Sequence, residues 1–231
     1  MRASYYATGS VTMSLMLAML LVVLSGWWLR HYRRAGQFQA SARSQLFNEC
    51  VDLLQDPSSR HDLAQLPILE GCYGGYRVAL SVVEDTVGWR KLPPLWLLVK
   101  VAANAPTRGT LDIIARPANN EFYSPSWQWD GVLPIPAAWP QHALIKYQEQ
   151  AVDLALLNDA VPLLFADPAM KELLITPTLL RLTYLLRQGQ AGEYLLLRTA
   201  VYHSAPVAKA LVEALLRQAI ALRQQLEAAT H

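Results

Sequence analysis

The chain has 231 residues, 20 Lys and Arg against 18 Asp and Glu, and only 16% charged residues beside 53% hydrophobic ones. Two cysteines, Cys50 and Cys72, without CxxC or Cys/His spacing exclude a disulfide framework and a cysteine zinc site. Arg2, Arg30, Arg33, Arg34 and Arg43 precede the first acid, Glu49, so the remainder holds 15 basic residues against 18 acids, and no nucleic-acid partner is expected of so mildly acidic a domain.

Residues 1–10 are short and polar apart from Tyr5 and Tyr6. Val11 to Leu29 then carries no charge, and at about 1.5 Å per residue a helix of that length crosses roughly 30 Å of hydrocarbon. Trp27 and Trp28 followed by Arg30, Arg33 and Arg34 describe a membrane interface with a basic collar, where anionic headgroups are met. The positive charges lie mainly after the apolar run, and no small-x-small site immediately follows it, which fits an uncleaved anchor and not a signal peptide. The collar outweighs Arg2, so the positive-inside rule puts the C-terminal domain in the cytoplasm, with a periplasmic domain as the alternative.

The expected division is a tail and anchor over 1–35, a helical stalk over 36–59 and a domain over 60–231. Phe38, Ala42, Leu46, Val51 and Leu54 fall along one helical face, and Asp56-Pro57 ends the stalk. A turn at Gly74-Gly75 leads into a β-rich run from Tyr76 to Val87. LWLLVKVAA after Pro93-Pro94, and GTLDIIARP after a turn at Asn104 to Arg108, add two more strands and suggest an antiparallel meander.

Residues 117–142 hold five prolines and three tryptophans, Trp127, Trp129 and Trp139. Proline excludes a regular central strand there. The tryptophans either line a groove for a partner or ligand, or close over the sheet from a long loop. A short strand from Leu144 to Gln150 follows, and Leu154, Leu157, Val161, Leu164 and Phe165 have helical spacing. FADPAMKELLITPTLLRLTYLLRQG reads as two short helices, each opened by a capping residue and a proline, Asp167-Pro168 and Thr176-Pro177. GEYLLLRTAVYH reads as a strand. Pro206 to Ala229 is the clearest helix, with Leu211, Leu215, Ala219, Leu222 and Leu226 in one stripe and Val212, Leu216 and Ile220 beside it. Its expected role is to cover one sheet face.

No GxxxxGK[ST], GxGxxG, GxSxG or HExxH pattern occurs, and the five histidines are scattered. Asp153, Asp159, Asp167 and Glu172 are spaced as capping or solvent-facing acids. No catalytic, cofactor or metal residues are assigned, and the expectation is a protein that is not an enzyme.

Leu66-Pro67 with Gly71 and Gly75, Leu92-Pro93-Pro94-Leu95-Trp96-Leu97, Arg116-Pro117, Phe165-Ala166-Asp167-Pro168 with Lys171-Glu172-Leu173-Leu174, and Tyr194 to Arg198 before the last helix resemble uncharacterised bacterial membrane-anchored α+β proteins. The resemblance covers most of residues 60–226 and implies architecture and a bacterial inner-membrane setting, without an activity.

The expectation is therefore an α+β fold: one transmembrane helix, then a mostly antiparallel sheet covered by a long C-terminal helix. The function expected is that of a single-pass interaction or scaffold protein in a membrane complex, in contact with the bilayer through Val11 to Leu29 and with a protein partner or a further copy of itself. The alternative is a membrane-proximal domain that binds a lipid or small ligand. An enzyme with a dispersed site ranks third.

Overall fold

The computed structural model describes residues 16, 18–30, 44–85, 92–118, 121–189, 202–203 and 205–230. The chain divides into two compact units, 1–42 and 43–231. In the first, residues 18–30 are helical and outward-facing, with Met19, Val22 and Val23 each more than 60% exposed. Among the described residues no helix is long and apolar enough to cross a membrane. Residues 11–15 and 17 of the expected span lie outside the described residues, as do Arg33 and Arg34.

The second unit is built on one nine-stranded sheet. Its strands are β1 (Gln55–His61), β2 (Pro67–Tyr73), β3 (Tyr76–Glu84), β4 (Pro94–Ala102), β5 (Leu111–Ala115), β6 (Gly131–Val132), β7 (Ala143–Tyr147), β8 (Met170–Ile175) and β9 (Leu179–Gln188). The spatial order is β1-β2-β3-β4-β9-β8-β5-β7-β6, with every neighbouring pair antiparallel. At the β2–β3 hairpin Gly74 and Gly75 take φ of 57° and 81°, the left-handed turn their sequence announces.

Period-2 alternation decides the two faces. Val78, Leu80 and Val82 of β3, Leu97, Val99 and Val101 of β4, Ile113 of β5, and Leu180 and Leu182 of β9 point to the main core. The helix Lys209–Ala228 lies on that face, and both of its apolar lines are used: Leu215, Ala219, Leu222 and Leu226 are buried, and so are Val212, Leu216 and Ile220. Burying each such side chain stabilises by about 1.5–3 kcal/mol. Arg223, fully buried, gives its guanidinium to the carbonyls of Thr176, Pro177 and Ala105 at 3.2, 2.8 and 3.1 Å, and to Glu227 at 3.1 Å. The helix is thereby tied to two turns at the same end of the sheet.

Three expectations are corrected. The segment expected as two helices is the β8–β9 hairpin. Thr176 closes its turn, bonding Leu179 through backbone and hydroxyl, and Asp167 bonds Ala169 N–H at 2.8 Å in a local turn. Short polar side chains that cap helices also close turns, and here the strand alternation outweighed them. The expected stalk becomes a 3₁₀ helix, Asn48–Leu53, followed by β1, while residues 36–43 lie outside the described ones. Pro57 is tolerated because β1 is an edge strand with a register shift between Gln55 and Ser58, where Asp56 has φ of 49°. Finally, the meander stops at β4, because the β8–β9 hairpin stands between β4 and β5. The strand expected over 192–203 falls almost wholly outside the described residues. Cys50 and Cys72 are both free thiols.

Candidate functional site

The face of the sheet away from the C-terminal helix is where polar chemistry collects. One cross-strand row runs Ser58, Glu70, Ala79, Lys100, Arg181, Leu174, Asp112, Lys146 through β1, β2, β3, β4, β9, β8, β5 and β7. Glu172 and Thr183 lie in the adjoining row, paired directly. Asp112, Glu172 and Thr183 have no exposure at all, and Arg181 is buried.

Residues 121–130 roof this part of the face. Arg181 gives one guanidinium nitrogen to both Glu172 oxygens at 2.9 Å and the other to the Tyr123 carbonyl at 3.0 Å. Thr183 donates its hydroxyl to the same carboxylate. Ser124 donates to Asp112 Oδ2 at 2.7 Å, and Lys146 reaches the Ser126 carbonyl at 2.9 Å. Asp112 Oδ1 has no hydrogen-bond partner among the described residues. Burial, and then the charge of Glu172, push the Asp112 carboxyl up to about 8.

Beside this cluster is a cavity of about 490 Å³, lined by Trp96, Tyr123, Leu185, Pro168, Lys171 and Arg116 among others. Two irregularities shape it. In β8 the register shifts between Met170 and Glu172, so Lys171 is the extra residue. In the β4–β9 pair it shifts between Leu95 and Trp96, opposite Leu186. Bulges re-aim side chains and gather beside binding sites. Lys171, 6% exposed, donates to the carbonyls of Ala115 and Arg116 at 3.0 and 2.8 Å and to Glu121 Oε1 at 2.8 Å. Burial alone raises the Glu121 carboxyl, but the bonds from Lys171 and the Ala118 N–H outweigh it and hold it below its usual value.

Trp96 and Tyr123 meet at 6.1 Å between ring centroids, tilted by 50°. The Trp96 indole N–H and the Tyr123 hydroxyl are both closed off from solvent, and neither has a hydrogen-bond partner among the described residues. A buried donor left unmade costs about 1–3 kcal/mol, so two in one ring pair call for an explanation. Burial, followed by the charges of Glu172, Glu121 and Asp85, pushes the Tyr123 hydroxyl far above its ordinary range, so it stays a neutral donor. With Lys171 engaged on three acceptors, the chemistry on offer is binding of an apolar body in the cavity. Among the described residues no three His, Cys, Asp or Glu side chains group as a metal site would need.

The residues singled out from sequence are dispersed. Trp139, 2% exposed, belongs to the main core; Trp129 is buried at 7%; Trp127 is 69% exposed. Trp27, Trp28 and Arg30 lie on the helical residues of the first unit, all exposed. Glu172, expected at the surface, is instead fully buried because a cation from the neighbouring strand meets it. Sequence reasoning passed over Asp112, Lys171 and Arg181. Their one signal was a charged residue inside an otherwise apolar strand.

No protein-family profile matches the chain, and no curated protein matches it. Among solved structures, it is similar to the crystal structure of the mycobacterial trehalose monomycolate transport factor A, TtfA. The TM-score is 0.44 at 9% sequence identity, over 79% of this chain and 93% of that one.

Proposed function

We propose that the chain is a single-pass, membrane-anchored accessory protein whose unit 43–231 binds an apolar small molecule or lipid, without transforming it. The observation that carries this reading is the cavity of about 490 Å³, walled by the Trp96–Tyr123 ring pair and Leu185. Val11 to Leu29 supplies the anchor, in a bacterial inner membrane with the domain on the cytoplasmic side.

Native mass spectrometry of the full chain in mild detergent tests it. The expected result is a stoichiometric small-molecule adduct that Leu185→Trp, which fills the cavity, removes while thermal unfolding stays within a few degrees. A chain that carries no adduct, or the same adduct in both proteins, overturns the ligand-binding reading. Sidedness has its own check. Labelling of Cys72 in intact cells by a membrane-impermeant thiol reagent overturns the cytoplasmic placement.

A second reading, as a scaffold for another protein, is favoured by the exposure of Trp127 and Phe122, 69% and 52%, on the roof segment. Large aromatics standing free of the core are frequent anchors in protein interfaces. Loss of a co-purifying stoichiometric partner in Trp127→Ala, with folding intact, supports that reading over the first.

A further inference from the structure

The same face of the sheet carries a second concavity, at the other side of the charged row. It is an open groove of about 530 Å³ over β1 to β4, lined in part by Glu70, Cys72, Arg77, Ala79, Lys100 and Leu179. Lys100 is half-buried at its floor, directly opposite Arg181 across the β4–β9 pair. Two cations placed opposite each other on one sheet face repel. Arg181 is compensated by Glu172 at 2.9 Å, but Lys100 forms no ion pair or hydrogen bond with any described residue. Arg77, exposed on the neighbouring strand, also has no acidic partner among the described residues.

The acids nearby do not supply the missing charge. Glu70 is taken by Arg60 at 2.6 Å, and that bond holds its carboxyl below the usual range. With Arg60 spent on Glu70 and Arg181 on Glu172, Asp56 alone remains on the groove's lining against Arg77 and Lys100. A partly desolvated, unpaired ammonium is costly unless a counter-charge meets it. Burial, then Arg181 and Arg60, draw the Lys100 amine below its ordinary value, with Glu70 opposing them in part.

We infer that this groove is an oxyanion site, in which Lys100 and Arg77 hold the phosphate or carboxylate group of a ligand. Lys100 contributes a point charge from the floor, and Arg77 a forked donor from the rim. Glu70, held by Arg60, closes one wall. The apolar remainder, Ala79 and Leu179, gives room for the body to which the anion is attached. The site is separate from the cavity at Trp96 and stands or falls independently of it.

Equilibrium binding of radiolabelled inorganic phosphate to the full chain, in nanodiscs of phosphatidylcholine alone, provides the test. One saturable site is expected, weakened at least tenfold by Lys100→Gln and by Arg77→Gln. Arg108→Gln, an exposed cation outside the groove, should leave it unchanged. A parallel set of nanodiscs containing phosphatidylglycerol distinguishes the source of the anion. Displacement of phosphate there in the unaltered chain assigns the groove to a lipid headgroup, and undiminished binding assigns it to a free anion. No saturable binding on either nanodisc overturns the site, and so does binding that ignores both groove substitutions. The two variants change partly or fully exposed side chains, and circular dichroism of each confirms that folding is retained.

Discussion

Asp112 on β5 and Glu172 on β8 are diagonal neighbours on one sheet face, and only Glu172 has a cation. Register places Asp112 opposite Leu174 and Glu172 opposite Ile114. Arg181 and Thr183 satisfy Glu172, whereas Asp112 relies on the Ser124 hydroxyl, and Lys146 across from it turns to a backbone carbonyl. Two fully buried carboxyls with one compensating charge favour a proton on the second.

That asymmetry sets a pH dependence. The folded Asp112 keeps its proton up to about 8, while the unfolded chain releases it near 3.8. Between those values the folded state binds more protons, so stability falls as pH rises, by at most about 1.4 kcal/mol per unit, and then levels off. Asp112→Asn is neutral throughout and should remove this slope. Thermal unfolding from pH 5 to 8 measures it, with about 2–4 °C per kcal/mol for a chain of this size. Equal slopes in the two proteins would show that Asp112 is ionised when folded.

Arg223 offers a test of how the C-terminal helix is held. Its guanidinium reaches three carbonyls in two turns and Glu227, with no exposure. Arg223→Ala leaves those acceptors unmet and should destabilise by about 3–5 kcal/mol. Arg223→Lys keeps the charge but not the fork, and should recover only part of the loss. Chemical denaturation in mild detergent reads both, and equal stability of Lys and Arg at this position would mean that charge alone matters.

The three tryptophans of the proline-rich segment should separate cleanly. Trp139→Ala and Trp129→Ala remove buried rings and should each cost about 3–5 kcal/mol. Trp127→Ala, at an exposed site, should stay within about 0.5 kcal/mol. Melting temperatures of the three variants decide the matter, and a large drop for Trp127 would place it in the folded core.

Much of this architecture is visible in the sequence where local rules and tertiary context agree. The last helix declares itself because its apolar stripe and its burial coincide, although it opens at Lys209, three residues after Pro206. The Gly74-Gly75 hairpin does so because only glycine takes that turn without strain. Residues 165–188 mislead because Asp167-Pro168 and Thr176-Pro177 imitate helix starts. The decisive pattern was the alternation Leu180-Arg181-Leu182-Thr183, which places charge and hydroxyl on one face and leucine on the other. The polar face was harder to see. An Asp inside LDIIA or a Glu inside MKELLI reads as a solvated residue until the chain brings Arg181 and the 121–130 roof over it. Sheet order is likewise invisible to local spacing, since nothing in β4 or β5 states that a later hairpin will stand between them.

That insertion has a consequence for how the protein is made. β4 and β5 follow one another in the chain, and consecutive strands tend to pair as they emerge. Here they must stay unpaired until β8 and β9 have been synthesised to fill the gap. During that interval the facing edges of β4 and β5 are two apolar templates, open to each other and to foreign strands. The ribosome delivers the hairpin that seals them only after some four-fifths of the chain has emerged, with Gln188 of 231 residues. A truncation ending before Met170 should therefore not yield a smaller stable sheet. It should yield a chain whose two central strands pair wrongly or aggregate.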